Sequence, residues 1–515
     1  MSYQVFSLQN IWNTRTSWIF LTLNHALCMI ILLLVSCSKN EYVNVIPKDA
    51  TVVLSANVKT MAEEAGLAES QFIDQFKAIL RGVVDSKTAA QLQEYIDNPE
   101  RMGIDFREPV YYFTAGNTSA LTMAVYDRGD LEKMLSMLKD QGLCSNITDG
   151  DGFKSVILMD EACVAFDKST ILVLYLDKGQ SRSYARQTCK QLFGLEKSQS
   201  FLSTVAYSDM EQAGQELMLY ADMAAMPSDI LQNVKSLLPE GVRYPEISIL
   251  SAMRFEKGKA VLSVNMRGKT KEVQKKLEKG NGKLKKIDGE FIESPMDNFA
   301  LWACAGVEKG ALLDILRQNS KYKEYLLLLE RAIDIEQIVR EVDGDVSLTI
   351  PQGYLSVSDT VQFPQFLLMA EIDDDDFLKD VDYWRKSMRD YGMSMTKTIG
   401  QNYVLSLGSS TINWGVDDDN IYFASAQTFA QNSASQRSGL LLPLKNDIKS
   451  SLFYLYLNMQ GDNNNRTPLR SIILQSKSFD KMECAVNLDD DTENFLKILF
   501  THIPELIGDK APLPF

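Results

Sequence analysis

The sequence predicts an α+β protein of two tandem, internally duplicated domains with largely antiparallel sheets covered by helices. Three observations predict it. Four segments recur in the same order in both halves of the 515-residue chain. Short apolar runs are joined by tight polar turns, which reads as antiparallel hairpins. Hydrophobic residues make up 45% of the chain, enough for packed cores and too many for disorder.

The first recurrence pairs Ile46 to Val58 with Ser294 to Gly306, each an apolar strand leading into a helix. The second pairs Ala120 to Lys139 with Phe366 to Arg385: a strand, an acidic turn, then apolar residues at helical spacing. Within it Asp127 matches Asp373, Asp130 matches Asp376 and Lys133 matches Lys379. The third pairs Val164 to Leu176 with Trp414 to Ala426, a strand, a polar turn and a returning strand. The fourth pairs Ala252 to Asn265 with Ser476 to Asp489. Four matches in order argue for a duplication with a period of about 250 residues, the size of a domain. Further helices are expected at Ser181 to Leu192 and at Pro227 to Leu238, the latter with proline near its first turn.

These matches place a first α+β repeat at 47–266, a basic linker at 267–290 and a second α+β repeat at 291–515. The linker is rich in lysine inside an acidic chain. It reads as a solvated helix carrying Val273 and Leu277, followed by the loop Gly280-Asn281-Gly282. The sharper reading is a patch that meets anionic headgroups.

An apolar run from Trp18 to Val35, with Arg15 upstream, has the layout of an export signal. Leu34-Val35-Ser36-Cys37 resembles the lipobox of bacterial lipoproteins, in which the cysteine becomes the lipidated first residue. Residues 1–36 are then a signal peptide, 37–46 a tether, and Cys37 the lipidation site. A transmembrane helix is a second reading, but Asn24 and His25 interrupt the run, and a span needs about 20 apolar residues. A buried helix with a core cysteine is a third. The polar turn after Cys37 suits a cut site. Acyl chains of the palmitate type anchor through about 0.8 kcal/mol per buried CH2, so the expected partner is a lipid bilayer.

The remaining chemistry is sparse. A formal net charge of −15 disfavours nucleic acid, whose binders carry basic surfaces. Beyond the signal the chain has a single histidine, His502, which excludes H-E-x-x-H zinc sites, and no G-x-S-x-G elbow accompanies it. The run Asp373 to Asp376 suggests calcium but lacks the EF-hand glycine and distal glutamate. Its first-half counterpart, Asp127-Arg128-Gly129-Asp130, keeps only the outer acids, so helix capping is the reading. Trp302, Trp384 and Trp414 match Leu54, Leu138 and Val164, which makes them core residues rather than a sugar platform. Cys163, Cys304 and Cys484 read as core, and a Cys144–Cys163 bridge stays open. No catalytic residue, cofactor or metal ligand is expected.

The lipobox, the opening IPKDATVVLSANVKTMAEEAGL, the strand VYYFT and the segment GQELMLYADM together resemble the Bacteroidetes lipoproteins of domain-of-unknown-function family 4836. The resemblance implies a lipid-anchored protein of the Gram-negative envelope, in the outer membrane, facing either the periplasm or the cell surface. It carries over no functional residues. Asp359-Thr360-Val361 is similar to the phylum's O-glycosylation motif, with Thr360 the acceptor. The expected role is non-catalytic: binding an envelope protein or glycan, or a structural part. The rival is a carboxylate-dependent hydrolase acting on envelope glycans, which needs two acids roughly 5–10 Å apart across a cleft.

Overall fold

The computed structural model describes residues 40–507, apart from 71–72, 75–76, 79–85, 178, 229–230, 232–233, 235–237, 296–297, 319–331, 354–364, 408–409, 426–437 and 461–467. Cys37 and Thr360 lie outside the described residues, as does part of the helix expected at Pro227 to Leu238. Helices and antiparallel strands alternate along the chain, which makes the fold α+β.

The strands begin with β1 (Val52–Ala56), β2 (Val110–Ala115), β3 (Thr118–Ala124), β4 (Thr148–Asp149), β5 (Lys154–Leu158), β6 (Ala162–Phe166) and β7 (Thr170–Tyr175). They continue with β8 (Leu217–Asp222), β9 (Ile247–Glu256), β10 (Lys259–Gly268), β11 (Leu284–Lys285), β12 (Phe299–Val307), β13 (Val342–Pro351) and β14 (Leu367–Ile372). The last are β15 (Ser394–Lys397), β16 (Asn402–Leu407), β17 (Ser410–Asp417), β18 (Asn420–Ser425), β19 (Phe453–Asn458), β20 (Leu469–Ser478) and β21 (Lys481–Leu488).

Two compact units share the chain and interleave in sequence. The smaller holds the described parts of Met1–Lys48, Arg101–Asp105 and Ala120–Thr204. Its strands pair antiparallel in the order β3-β7-β6-β5-β4. Helix Arg128–Asp140 buries Leu131 and Leu135 against Val156, Val164, Phe166 and Ile171. It starts where Asp127 accepts from the Asp130 amide at 2.9 Å, so Asp127 is the cap and Asp130 sits in the first turn, bridged to Lys133 at 2.7 Å. Helix Arg182–Phe193 starts at Ser181, whose hydroxyl accepts from the Tyr184 amide. It buries Ala185, Thr188, Cys189 and Leu192.

The larger unit holds the described parts of Asp49–Glu100, Phe106–Ser119 and Val205–Phe515. One run of its strands is β2-β1-β8-β9-β10. Another is β13-β12-β19-β20-β21. β13 also pairs with β14, and from it the order continues β14-β18-β17-β16-β15. Read by sequence position, the orders of the first half recur in the second. β10 and β21 pair antiparallel, with Leu262 opposite Cys484, Ala260 opposite Val486 and Val264 opposite Met482.

Trp302, Trp384 and Trp414 are buried, at 0–2% exposure. Trp414 stacks on Tyr403 at 4.6 Å and on Phe423 at 6.0 Å, and shares its core with Trp384, Phe377 and Val381. Val164, its matched residue, is also buried. Leu54 is not: it is half-buried, while its neighbour Val53 is fully buried. Val53 stands opposite Tyr220 and Trp302 opposite Tyr456, so the strand pairing matches Val53 to Trp302. A slip of one residue turns a strand's other face to the core, and the sequence match of Leu54 with Trp302 contained that slip.

The segment 267–290 is built into the larger unit. Helix Lys271–Lys279 buries Val273 and Leu277, capped by Thr270. Lys269 pairs with Asp222 at 2.6 Å and Lys285 with Asp343 at 2.8 Å. The Lys286 ammonium donates to the carbonyls of Ser450 and Lys477. These three cations are spent on protein partners.

Candidate functional site

The acidic run shapes a turn. Asp374, Asp375 and Asp376 bring their carboxylates within 4.8 Å of one another, all three exposed. Asp374 accepts from the Asp376 amide at 2.7 Å, and Asp376 bridges to Lys379. The Asp376–Lys379 bridge repeats Asp130–Lys133 of the first half. The acids order a turn before the short helix Asp376–Asp380.

Two acid pairs that the sequence reading did not single out carry perturbed carboxyls. The first lies at a bulge where β13 and β14 shift register between Val342 and Val346. Asp345 is fully buried there. Its Oδ1 accepts from the Asp288 amide at 2.9 Å, and its Oδ2 from the amides of Gly289 at 2.7 Å and Glu290 at 3.2 Å. The Asp345 amide donates to Glu371 Oε2. Gly344, at φ +139°, is required: a Cβ there would sit 2.3 Å from Glu371 Oε2. Burial raises the pKa of both carboxyls, against the three amides that stabilise the Asp345 anion. The Asp345 charge adds to the rise at Glu371. The second pair is Glu64, at the end of helix Val58–Glu64, and Glu216, ahead of β8. Among the described residues, the Oε2 atoms of both are buried with no hydrogen-bond partner. Burial and then the Glu216 charge raise the Glu64 pKa, while a hydrogen bond with Asn494 lowers it.

A carboxylate at 0% exposure whose oxygens hold three backbone amides anchors the turn at 288–290; no sugar reaches it. The signal for Asp345 was an acid set beside glycine in an otherwise alternating strand, VDGDVSLTIP.

A cavity of about 320 Å³ lies elsewhere in the larger unit, lined by Ala332, Ile333, Asp334, Asp380, Tyr383, Trp384 and Ser387. Helix Val381–Ser387 positions the aromatic pair: Trp384 points into the core and Tyr383, 71% exposed, stands at the rim. Asp334 caps helix Ile335–Arg340 through the Gln337 amide at 2.9 Å. An exposed ring flanked by carboxylate acceptors can stack on a sugar face and accept from its hydroxyls. The volume is at the lower end for small-molecule sites.

A family described as a domain of unknown function, DUF4836, matches residues 42–462. The chain belongs to the DUF4836 family. No curated protein matches it. Among solved structures, this DUF4836 chain is similar to crystal forms of a protein named TP0453. Form III gives a TM-score of 0.26 at 11% identity, covering 44% of this chain and 80% of that one. Form I gives 0.25 at 10% identity, covering 45% and 78%. At these scores the likeness carries no argument about the DUF4836 fold or role. No described helix is long and apolar enough to cross a membrane.

Proposed function

We propose that this chain is a lipid-anchored protein of the Gram-negative envelope, of Bacteroidetes type, tethered through acylated Cys37 to the outer membrane. Beyond the anchor it is a non-catalytic binding or structural protein built by tandem duplication. The carrying observation is the apolar run that ends at Leu34-Val35-Ser36-Cys37 and turns polar at once. Supporting the duplication, the strand orders of the two halves repeat. Counted from their hairpin turns, Leu262 and Cys484 occupy the same position of β10 and β21, two residues away from the sequence match, which set Leu262 against Val486. Their pairing is therefore reciprocal, like the isologous interface of a two-fold dimer. Supporting the non-catalytic reading, the buried acid pair at the bulge anchors backbone.

The ligand surface of this reading is the Tyr383 cavity, and the ligand class is an envelope glycan. The test takes two variants. Cys37→Ala should leave an uncleaved precursor that no longer incorporates a labelled fatty acid; maturation identical to wild type overturns the anchor. Tyr383→Ala should abolish retention on immobilised envelope glycans with the unfolding midpoint unchanged; undiminished retention removes the cavity from the account. Asp334 and Asp380 on one cavity are what favours the hydrolase alternative. Reducing-end release that vanishes in both Asp334→Asn and Asp380→Asn would establish it.

A further inference from the structure

We propose that Cys163 and Cys189 form an intramolecular disulfide that fastens helix Arg182–Phe193 to its sheet. The inference rests on the export reading above, because structural disulfides persist in oxidising compartments. Cys163 lies on β6 between β5 and β7, opposite Ile157 and Leu174. Cys189 lies on the buried face of the helix. Both residues are fully buried, and their Sγ atoms stand 3.9 Å apart. A disulfide bond is about 2.05 Å long, so each sulfur has about 1 Å to travel, a distance that a modest χ1 rotation covers.

Among the described residues, the other cysteines do not compete. Cys144 is half-buried and donates to the Leu135 carbonyl at 3.3 Å, so the Cys144–Cys163 bridge left open by the sequence is not the pairing the fold prepares. Cys304 and Cys484 belong to the larger unit. The helix, meanwhile, is held at its rim by exposed contacts: Arg182 to Asp160 at 2.7 Å, Lys190 to Asp151, and Arg186 to Thr148 Oγ1 at 2.8 Å. Exposed ion pairs contribute little. A covalent link at the centre of the buried face would hold what the rim does not.

The oxidant is a small-molecule or protein disulfide, RS–SR. One cysteine thiolate attacks it, forming a mixed disulfide and releasing RS⁻. The second thiolate attacks the protein sulfur of that mixed disulfide, forming the Cys163–Cys189 bond and releasing the second RS⁻. The two cysteines lose two electrons and two protons, and two RSH leave. Both sulfurs are fully buried in the closed fold, out of reach of RS–SR, so exchange occurs before the helix docks.

The full chain is refolded from denaturant in glutathione and glutathione disulfide, alkylated under denaturing conditions, digested without reductant and weighed. The expected product is a linked peptide pair carrying Cys163 and Cys189 that disappears on reduction. Reductant should lower the unfolding midpoint of wild type and leave that of the Cys163→Ala/Cys189→Ala variant unmoved. Recovery of both cysteines alkylated, or linked to Cys144, overturns the pairing. The same digest on protein from its native cells separates the two ideas. A link formed on refolding but missing in cells supports the pairing and counts against export. Acylated Cys37 in cells with no link on refolding sinks the pairing alone.

Discussion

Two cores of this protein use the same arrangement with different side chains. In the smaller unit, Val156, Val164 and Val173 form a cross-strand row beneath Leu131 and Leu135. In the larger unit, Tyr403, Trp414 and Phe423 form the corresponding row beneath Phe377, Val381 and Trp384. One row is aliphatic and close-packed; the other is a stack of three rings. The difference teaches that strand order and pattern, not side-chain volume, are what the two halves share. Trp302, Trp384 and Trp414 all lie buried in the second half.

The sharpest way to break the comparison is to truncate both rows. Trp414→Ala should cost about 3–5 kcal/mol, and Val164→Ala about 1.5–3 kcal/mol, read from denaturant midpoints. A negligible cost at either site would mean that the rows are not equivalent core positions. Loss of glycan retention with stability intact in Trp414→Ala would reverse the core assignment.

Asp345→Ala comes next. It leaves three backbone amides without their acceptor, and water entering the site satisfies part of the loss, so the net cost should be about 3 kcal/mol. Hydrogen exchange should speed first at 288–290. Unchanged exchange there would show that the carboxylate does not hold the turn.

Asp127→Ala should remove about 0.5–2 kcal/mol through the lost cap. Asp376→Ala should cost less, since Asp374 accepts from the Asp376 amide. A larger loss at Asp376 would contradict the division of roles between these acids.

The smallest effect is in pH. Burial raises the folded-state pKa of Glu371, so the folded chain holds that proton more tightly than the unfolded chain does. Its contribution to stability is full below the ordinary carboxylate pKa of about 4.3 and is lost as pH rises through the raised value. Glu371→Gln should flatten the fall in melting temperature as pH rises above about 4.3. An unaltered profile would assign that fall to other groups.

Much of the fold was legible because strand alternation and helix spacing are local signals. A helix at Ser181 to Leu192, and another carrying Val273 and Leu277, follow from spacing alone; the capping by Ser181 and the burial of Val273 and Leu277 do not. The tryptophans were legible because each matched an apolar residue in the other half. What was hidden depends on pairing between distant strands. The Leu54 slip shows this: alternation cannot say which of two adjacent residues faces inward until a partner strand fixes the register. Asp345 was hidden because its amide partners lie more than 50 residues earlier in the chain. Cys163 and Cys189 met only once helix and sheet were docked. Tyr383 looked like any helix residue until the cavity beside it was formed.

The most direct measurement of the central claim is the mass of the N-terminal peptide of the protein from its native membranes. The account predicts a peptide that begins at Cys37 and carries covalent acyl chains. A peptide that still contains residues before Cys37, or an unmodified Cys37, would contradict it.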